Sequence, residues 1–228
     1  MLKLYGEYTN ENANIKALNT IKRNIIEAEI LPGEALKEEN IKNLLGISRT
    51  LCRETIIKLE KENLVKVIPQ KGTYVTTINL KKIEDFLFLR RIAEENIFNL
   101  AFNNISKNLL NKLYLNLNQQ KSLMEIDNSS FYLINLDNEF HKIIFEECNF
   151  IYIWEMLQTF QTQYDRLRIL GLKNGLTKNI TLEHHLKIYD SFVENNQDEI
   201  RRILLSHLGE VKELYKEIIL KFPNYFVS

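Results

Sequence analysis

The sequence has 228 residues, with a hydrophobic fraction of 45% and a charged fraction of 26%, the balance of an ordinary globular protein. Its 7 glycines and 3 prolines are too few for an all-β chain built on tight turns, and no apolar run approaches the roughly 18 residues of a membrane span. The formal net charge is +0, so any basic surface that binds nucleic acid must be local.

The cysteines and the N-terminus bear on the cellular location. Cys52 and Cys148 fit neither a disulfide framework nor a zinc-ribbon spacing. The N-terminus lacks the basic-then-apolar pattern of a signal peptide. These features predict a cytoplasmic protein. Residues 1–16 are rich in asparagine without a sustained period, and we predict that they are poorly ordered.

Three short helices are predicted in the first part of the chain. Apolar residues recur at helical spacing, and Pro32 and Gly33 end the first helix because proline cannot continue it. Gly46 can adopt the left-handed conformation that ends the second helix, and Ser48 can cap the third. The predicted helices cover residues 17–30, 38–45 and 49–62.

A β-hairpin is predicted next. Residues 64–68 and 73–77 are β-prone, and the segment between them, Pro69-Gln70-Lys71-Gly72, has turn chemistry. Three helices followed by a hairpin are the order of a winged helix-turn-helix. Beyond Asn79 no further strand is predicted. Helices are predicted at residues 82–104, 107–124, 131–148, 152–170, 182–195 and 197–222.

The predicted fold class is therefore mainly α. A winged helix-turn-helix at residues 1–78 precedes an all-α bundle of about six helices at residues 79–228.

The clearest functional signal lies at the start of the third helix. Arg49 and Arg53 are four residues apart and share a face, about a quarter turn from the apolar stripe of Cys52, Ile56 and Leu59. An arginine can bind guanine bidentately or clamp a phosphate. The alternative is a merely solvated helix face, which the helix-turn-helix-wing order disfavours. The predicted DNA contacts are Ser48, Arg49, Thr50, Arg53 and, at the hairpin tip, Lys71 and Gly72.

The winged helix resembles that of the GntR family of repressors. The resemblance rests on LPG at 31–33, LGISRT at 45–50, RE at 53–54, Leu59 and KG at 71–72. It implies DNA contacts by Ser48, Arg49, Thr50, Arg53 and Gly72. The chain departs from the family at Leu51-Cys52, where a proline and a β-branched residue are usual. It also has Glu39 where some members have an arginine.

All four histidines lie in the predicted helical bundle. Asp137 and His141 are four residues apart on one helix, while His185 and His207 lie on two others. Three helices could therefore bring one carboxylate and three imidazoles to a common point. Such donors suit Zn²⁺, Ni²⁺ or a similar ion. The alternative is that the histidines are separate core or surface residues and that Asp137 and His141 form only a local pair.

The bundle resembles the FCD-type ligand-binding domain of the FadR branch of GntR regulators. The resemblance covers residues 83–215 and rests on LRRIAE at 89–94, Asp137-x-x-Phe140-His141, His185-x-x-Ile188 with Asp198, and His207-Leu208. It implies a divalent metal held by Asp137, His141, His185 and His207. His184 matches no ligand position and is predicted to lie at the surface.

The same resemblance implies a small organic acid as effector, whose carboxylate can complete the coordination of the metal. Arg90 or Arg91 and Arg166 or Arg168 could pair with this acid. Alternatively, these arginines are surface residues or ion-pair partners of Glu94 or Asp165.

The sequence as a whole predicts a ligand-responsive transcriptional regulator, a repressor that binds a pseudo-palindromic operator as a homodimer. One alternative is a metal-dependent hydrolase built on the Asp and His cluster. The chain shows no nucleophile motif or Gly-rich loop, so we predict that it is not an enzyme. A second alternative is a winged helix that contacts only other proteins.

Overall fold

The computed structural model describes residues 2–5, 12–127, 129–176, 178–209 and 215–227, which form two compact units. The first unit contains the described residues up to Leu80 together with those from Lys221 onward, and the second contains the described residues from Lys81 to Leu220. The elements are α1 (Ala13–Ile26), α2 (Glu38–Leu45), α3 (Arg49–Lys61), β1 (Val65–Ile68), β2 (Gly72–Val75), β3 (Ile78–Asn79), α4 (Leu80–Asn103), α5 (Lys107–Met124), α6 (Ser130–Glu147), α7 (Ile151–Gln158), α8 (Thr162–Lys173), α9 (Lys178–Val193), α10 (Gln197–Gly209), α11 (Lys216–Lys221) and β4 (Phe226–Val227).

The first unit is a winged helix, as predicted. Helices α1, α2 and α3 bury Ile21, Ile41 and Leu59 in a common core. Strands β1 and β2 form the antiparallel wing, in which Val65 lies opposite Val75. The apolar stripe of α3 is turned into this core, so the opposite side of α3 faces outward.

The start of α1 differs from the prediction. The helix begins at Ala13 rather than Ala17 because the side chain of Asn12 caps it, accepting a hydrogen bond from the amide of Ile15 at 2.9 Å. The prediction of poor order at residues 1–16 was wrong for the described part. The amide of Lys3 donates to Oδ1 of Asn24 at 2.7 Å, and residues 13–16 are helical. Residues 1 and 6–11 of this segment lie outside the described residues.

A short parallel strand pair closes the first unit. Ile78 and Asn79 of β3 pair with Phe226 and Val227 of β4. The prediction of no strand beyond Asn79 was wrong, because a strand of two residues carries too little pattern to be recognised. The predicted division had assigned residues 79–228 to the bundle. The described residues from Lys221 onward instead group with the winged helix.

The second unit is a bundle of helices, as predicted. Helix α6 packs against α5, α7 and α8, and α9 packs against α5 and α10. The core between them includes Leu113, Phe140, Ile144, Phe192 and Leu204. No helix in the described ranges combines the length and apolar composition needed to cross a bilayer.

One predicted helix proves to be two. The span 152–170 breaks between α7 and α8, where the amides of Phe160 and Gln161 bond to carbonyls three residues back, at 3.0 and 3.4 Å. The buried side chain of Gln161 donates to Asn138 at 2.7 Å, a tertiary contact invisible to periodicity. The predicted helix 197–222 is described at 197–209 and 216–221, and residues 210–214 lie outside the described residues.

Candidate DNA-binding surface and metal site

The turn between α2 and α3 fixes the start of the recognition helix. Gly46 adopts φ +63° and ends α2 in the left-handed conformation. Ser48 precedes α3, and its Oγ accepts a hydrogen bond from the amide of Leu51 at 3.2 Å. The hydroxyl that was predicted to contact DNA therefore also caps the helix.

All the predicted DNA contacts are exposed. The side chains of Arg49 and Arg53 are 68% and 56% exposed, so they are accessible to a duplex. Three lysines on α3 and the wing are exposed as well, namely Lys58, Lys61 and Lys66. The exposed predicted residues are Ser48, Arg49, Thr50, Arg53, Lys71 and Gly72.

Glu38, which the sequence analysis did not single out, lies beside both arginines. Its Oε2 is 3.6 Å from Nε of Arg49, and its Oε1 is 3.6 Å from Nε of Arg53. Glu38 belongs to the first turn of α2, where an acidic residue is explained equally well by the helix dipole. The sequence therefore carried no distinctive signal for this contact.

The structure brings the four predicted metal ligands together in the second unit. Their donor atoms all lie within 4.8 Å of one another. Nε2 of His141 is 3.3 Å from Nε2 of His185 and 3.2 Å from Nε2 of His207. Oδ1 of Asp137 is 3.6 Å from Nε2 of His185. Helices α6, α9 and α10 supply these side chains to one point, the arrangement that the resemblance to FCD-type domains implied.

A chain of hydrogen bonds fixes the tautomer of His185. The carbonyl of Leu136 can only accept a hydrogen bond, so the Asn116 atom that faces it at 3.0 Å is the donor Nδ2. The other side-chain atom of Asn116, Oδ1, accepts a hydrogen bond from Nε2 of Gln120 at 2.6 Å. Oε1 of Gln120 then faces Nδ1 of His185 at 3.1 Å. Since an amide oxygen can only accept, Nδ1 carries the proton and Nε2 keeps a lone pair.

Glu94 determines the tautomer of His141. Its Oε2 lies 2.8 Å from Nδ1 of His141, a close polar contact whose alignment falls short of a hydrogen bond. Arg90 holds the other carboxylate oxygen. Burial by itself would raise the pKa of Glu94, but Arg90 and His141 lower it to about 2. The carboxylate is therefore ionised, and the proton of His141 resides on Nδ1.

Two imidazole lone pairs consequently face each other in a buried site. This arrangement is unfavourable unless a cation lies between the nitrogens. Burial lowers the pKa of His185 to about 3 and that of His207 well below its usual value, so both rings are neutral, as metal ligation requires. Three nitrogens and one carboxylate oxygen suit a borderline divalent ion. The residues therefore fit a metal.

Asp137 is held as an anion by Arg168. Burial alone would raise the pKa of Asp137, but Arg168 foremost, and then the three imidazoles, keep it well below its usual range. Arg168 donates to Asp137 and also to Asn138 at 2.7 Å and Asp165 at 2.8 Å. The hydrogen bonds of Arg168 thus hold Asp137, one of the predicted metal ligands, in a fixed orientation.

The other arginines proposed for the effector differ in position. Arg90 is 1% exposed, and its Nη2 has no hydrogen-bond partner among the described residues. Arg166 is also buried, which lowers its pKa to about 10. Arg91 is half-buried, with its guanidinium 5.7 Å from the ring centre of the exposed Phe88.

His184 is half-buried beside His207 rather than fully at the surface, with ring centres 5.6 Å apart.

Comparisons with known families and proteins agree with these two units. Residues 16–75 match the family described as "Bacterial regulatory proteins, gntR family", and residues 85–210 match the FCD domain. The chain is 25% identical over 213 residues to the HTH-type transcriptional repressor RspR of Escherichia coli, covering 93% of each chain. It is 26% identical over 188 residues to the Nta operon transcriptional regulator of Aminobacter aminovorans, covering 82% of this chain and 87% of the relative.

Solved structures share the fold. A GntR-type regulator from Rhodococcus superposes with a TM-score of 0.73 at 18% identity, covering 90% of this chain and 97% of the other. McbR/YncC of E. coli superposes with a TM-score of 0.70 at 19% identity, covering 91% and 99%. The relatives are named as transcriptional regulators and not as enzymes. The chain belongs to the gntR family of bacterial regulatory proteins, in the branch that carries an FCD effector-binding domain, and is a DNA-binding transcriptional regulator.

Proposed function

We propose that two copies of this chain bind a pseudo-palindromic operator and repress transcription, and that a divalent metal ion and a carboxylic acid in the second unit control this binding. The observation that carries the proposal is the convergence of ligand atoms of Asp137, His141, His185 and His207 within 4.8 Å, with Nε2 of His141 and Nε2 of His185 only 3.3 Å apart. Repression is favoured by the name of the E. coli relative, a transcriptional repressor.

The recognition helix supports operator binding. Arg49 and Arg53 are exposed at the start of α3, the part of a recognition helix that enters the major groove. Arg49 and Arg53 would bind base edges or phosphates. Lys71 and Gly72 lie at the exposed tip of the wing and would contact the adjacent groove. A homodimer would place two such helices on half-sites about 34 Å apart.

The second unit supports a metal-dependent anion site. Asp137, His141, His185 and His207 would hold the ion, which when bound supplies a positive charge and an open coordination position for a carboxylate. Zn²⁺ and Ni²⁺ both suit this donor set.

Arg90 is the arginine best placed to bind the acid. It is buried, and its Nη2 has no hydrogen-bond partner among the described residues, so a carboxylate oxygen would satisfy it. Arg168 is committed to Asp137, and Arg91 lies over the ring of Phe88. Arg166 remains a second candidate. Since an effector shifts DNA affinity only through its differential affinity for two states, the acid must favour one arrangement of the regulator.

The first experiment measures sequence-specific DNA binding. A duplex enriched by the wild-type protein from a random-sequence pool is compared with a scrambled duplex by fluorescence anisotropy. The Arg49→Ala/Arg53→Ala variant should lose the preference by about a hundredfold or more, because each bidentate base contact is worth roughly 1–3 kcal/mol. The Arg201→Ala/Arg202→Ala variant is the matched control, since it removes two exposed arginines of the second unit. A wild-type protein that enriches no sequence would contradict the regulator model.

The same assay tests the effector. Dicarboxylic and tricarboxylic acids are added to protein that has been treated with a chelator, and to the same protein reloaded with Zn²⁺. An acid should change the operator affinity of the reloaded protein only, and Arg90→Ala should abolish the response. A response that survives chelation would exclude a role for the metal.

A further inference from the structure

We propose that Glu38 is a specificity-determining residue, which orients Arg49 and Arg53 toward base edges and disfavours their use as general phosphate clamps. The inference rests on the recognition helix assigned under Proposed function. It identifies a residue outside that helix that controls how selectively the helix reads DNA.

The geometry places one carboxylate between two guanidinium groups. Each oxygen of Glu38 faces the Nε of a different arginine, at 3.6 Å in both cases. Glu38 lies on α2, whereas Arg49 and Arg53 lie one turn apart on α3. A single side chain from the preceding helix thus restrains both arginines.

This contact determines which donors remain for DNA. A guanidinium has five N–H donors, and Nε supplies one of them. With Nε next to Glu38, the two terminal nitrogens of each arginine remain as donors for DNA. These terminal nitrogens are a suitable pair of donors for O6 and N7 of guanine.

The negative charge of Glu38 also disfavours contacts between the two arginines and DNA phosphates. Glu38 is 37% exposed, so its carboxylate lies at the same surface as the arginines. If Arg49 and Arg53 swing away to bind phosphates, the carboxylate loses its counter-charges and faces the polyanionic backbone. Such like-charge juxtaposition is a means of rejecting wrong partners.

The neighbouring residue provides a matched control. Glu39 lies in the same first turn of α2 and is exposed, and the described residues include no ion pair with it. Replacing either residue by glutamine removes one negative charge from the first turn of α2. General attraction to the duplex should therefore rise equally in both variants. Only Glu38→Gln also releases the two arginines.

The test compares Glu38→Gln and Glu39→Gln on the wild-type-enriched duplex and on a scrambled duplex. Glu38→Gln should bind the scrambled duplex more tightly and reduce the ratio of the two dissociation constants by about tenfold. Glu39→Gln should tighten both complexes and leave the ratio unchanged. Equal ratios in the two variants, at wild-type melting temperature, would overturn the proposal.

A second variant, Glu38→Asp, distinguishes the positioning role of Glu38 from the effect of its charge. Glu38→Asp keeps the charge but is one methylene shorter, so it cannot reach both arginines at once. We expect its ratio to fall as well, while its affinity for the scrambled duplex stays near wild type. A wild-type ratio in Glu38→Asp would assign any effect to charge alone and refute the positioning role. Failure of the wild-type protein to enrich any sequence would instead refute the proposed function.

Discussion

Gln120 orients His185, one of the four proposed metal ligands. Its amide oxygen faces Nδ1 of His185, and its amide nitrogen is fixed by Asn116. Partners of this kind orient a metal-bound imidazole and set its tautomer. Glu94 does the same for His141 with a carboxylate.

The first prediction concerns Gln120→Leu. This variant removes the acceptor of His185 Nδ1, so the ring loses its fixed orientation, and the dissociation constant for Zn²⁺ should rise about 10- to 100-fold. The measurement is calorimetric titration of the chelated protein, with Co²⁺ absorption as a second readout of the ligand geometry. Gln119→Leu is the control because Gln119 is exposed on the same helix.

Restoring an acceptor gives the decisive comparison. Gln120→Glu again offers an oxygen to Nδ1 of His185 and should recover most of the affinity. If Gln120→Leu binds Zn²⁺ as tightly as Gln119→Leu does, Gln120 has no part in orienting the ligand.

The four residues that converge in the bundle were named in advance from the family resemblance, but the residues that support them could not be predicted. The i,i+4 spacing of Asp137 and His141, with all four histidines in the predicted bundle, indicated only that a common site was possible. Arg90 and Glu94 have the same spacing, which is typical of an exposed helix pair. Only the packing of α4 into the bundle shows that this pair is buried beside His141.

Among the elements, the turn at Gly46 determines how α3 leaves α2. Gly46 has φ +63°, and a Cβ placed there would meet nothing within 4 Å. The effect of a substitution would therefore come from the backbone alone. The left-handed conformation is unfavourable for any residue with a Cβ.

We expect Gly46→Ala to reduce the free energy of unfolding by about 1–2 kcal/mol. The same variant should weaken operator binding if strain alters the presentation of α3. Thermal unfolding followed by circular dichroism provides the measurement. Gly209→Ala is the control, because Gly209 ends α10 without a left-handed φ and also has open space around it. Equal unfolding curves for the two variants would show that the turn tolerates a side chain.

The order of the elements was predictable, while several of their ends were not. Winged-helix order followed from three periodic stretches and a β-prone pair, because each buries one face in a common core. At the break after α7, Gln161 accepts a hydrogen bond from Gln158 of α7 and donates to Asn138 of α6 and to Asp165 of α8. Periodicity continues across this break and therefore could not reveal it.

For the molecule as a whole, exposed apolar side chains favour a homodimer. Tyr152, Met156 and Phe160, on or just after α7, are 77%, 65% and 60% exposed, and Leu89 and Ile92 on α4 are each 46% exposed. Concentrations of apolar surface of this kind mark interfaces more often than solvent-facing surfaces.

We expect a dimer in sedimentation analysis. Either Leu89→Lys/Ile92→Lys or Tyr152→Lys/Met156→Lys should raise its dissociation constant at least about tenfold, because a buried lysine lacks a partner. The two variants identify which face forms the contact. A wild-type monomer at micromolar concentration, or two variants that dimerise normally, would contradict the proposed dimer.

The pairing of β3 with β4 affects the order in which the protein can be built on the ribosome. The winged helix is interrupted in the sequence by residues 81–220, and its closing strand follows them. A nascent chain therefore emerges with β3 as an open edge, and this edge stays unpaired until the entire bundle has been translated. The winged helix is therefore completed late in folding, after the helical bundle has been synthesised.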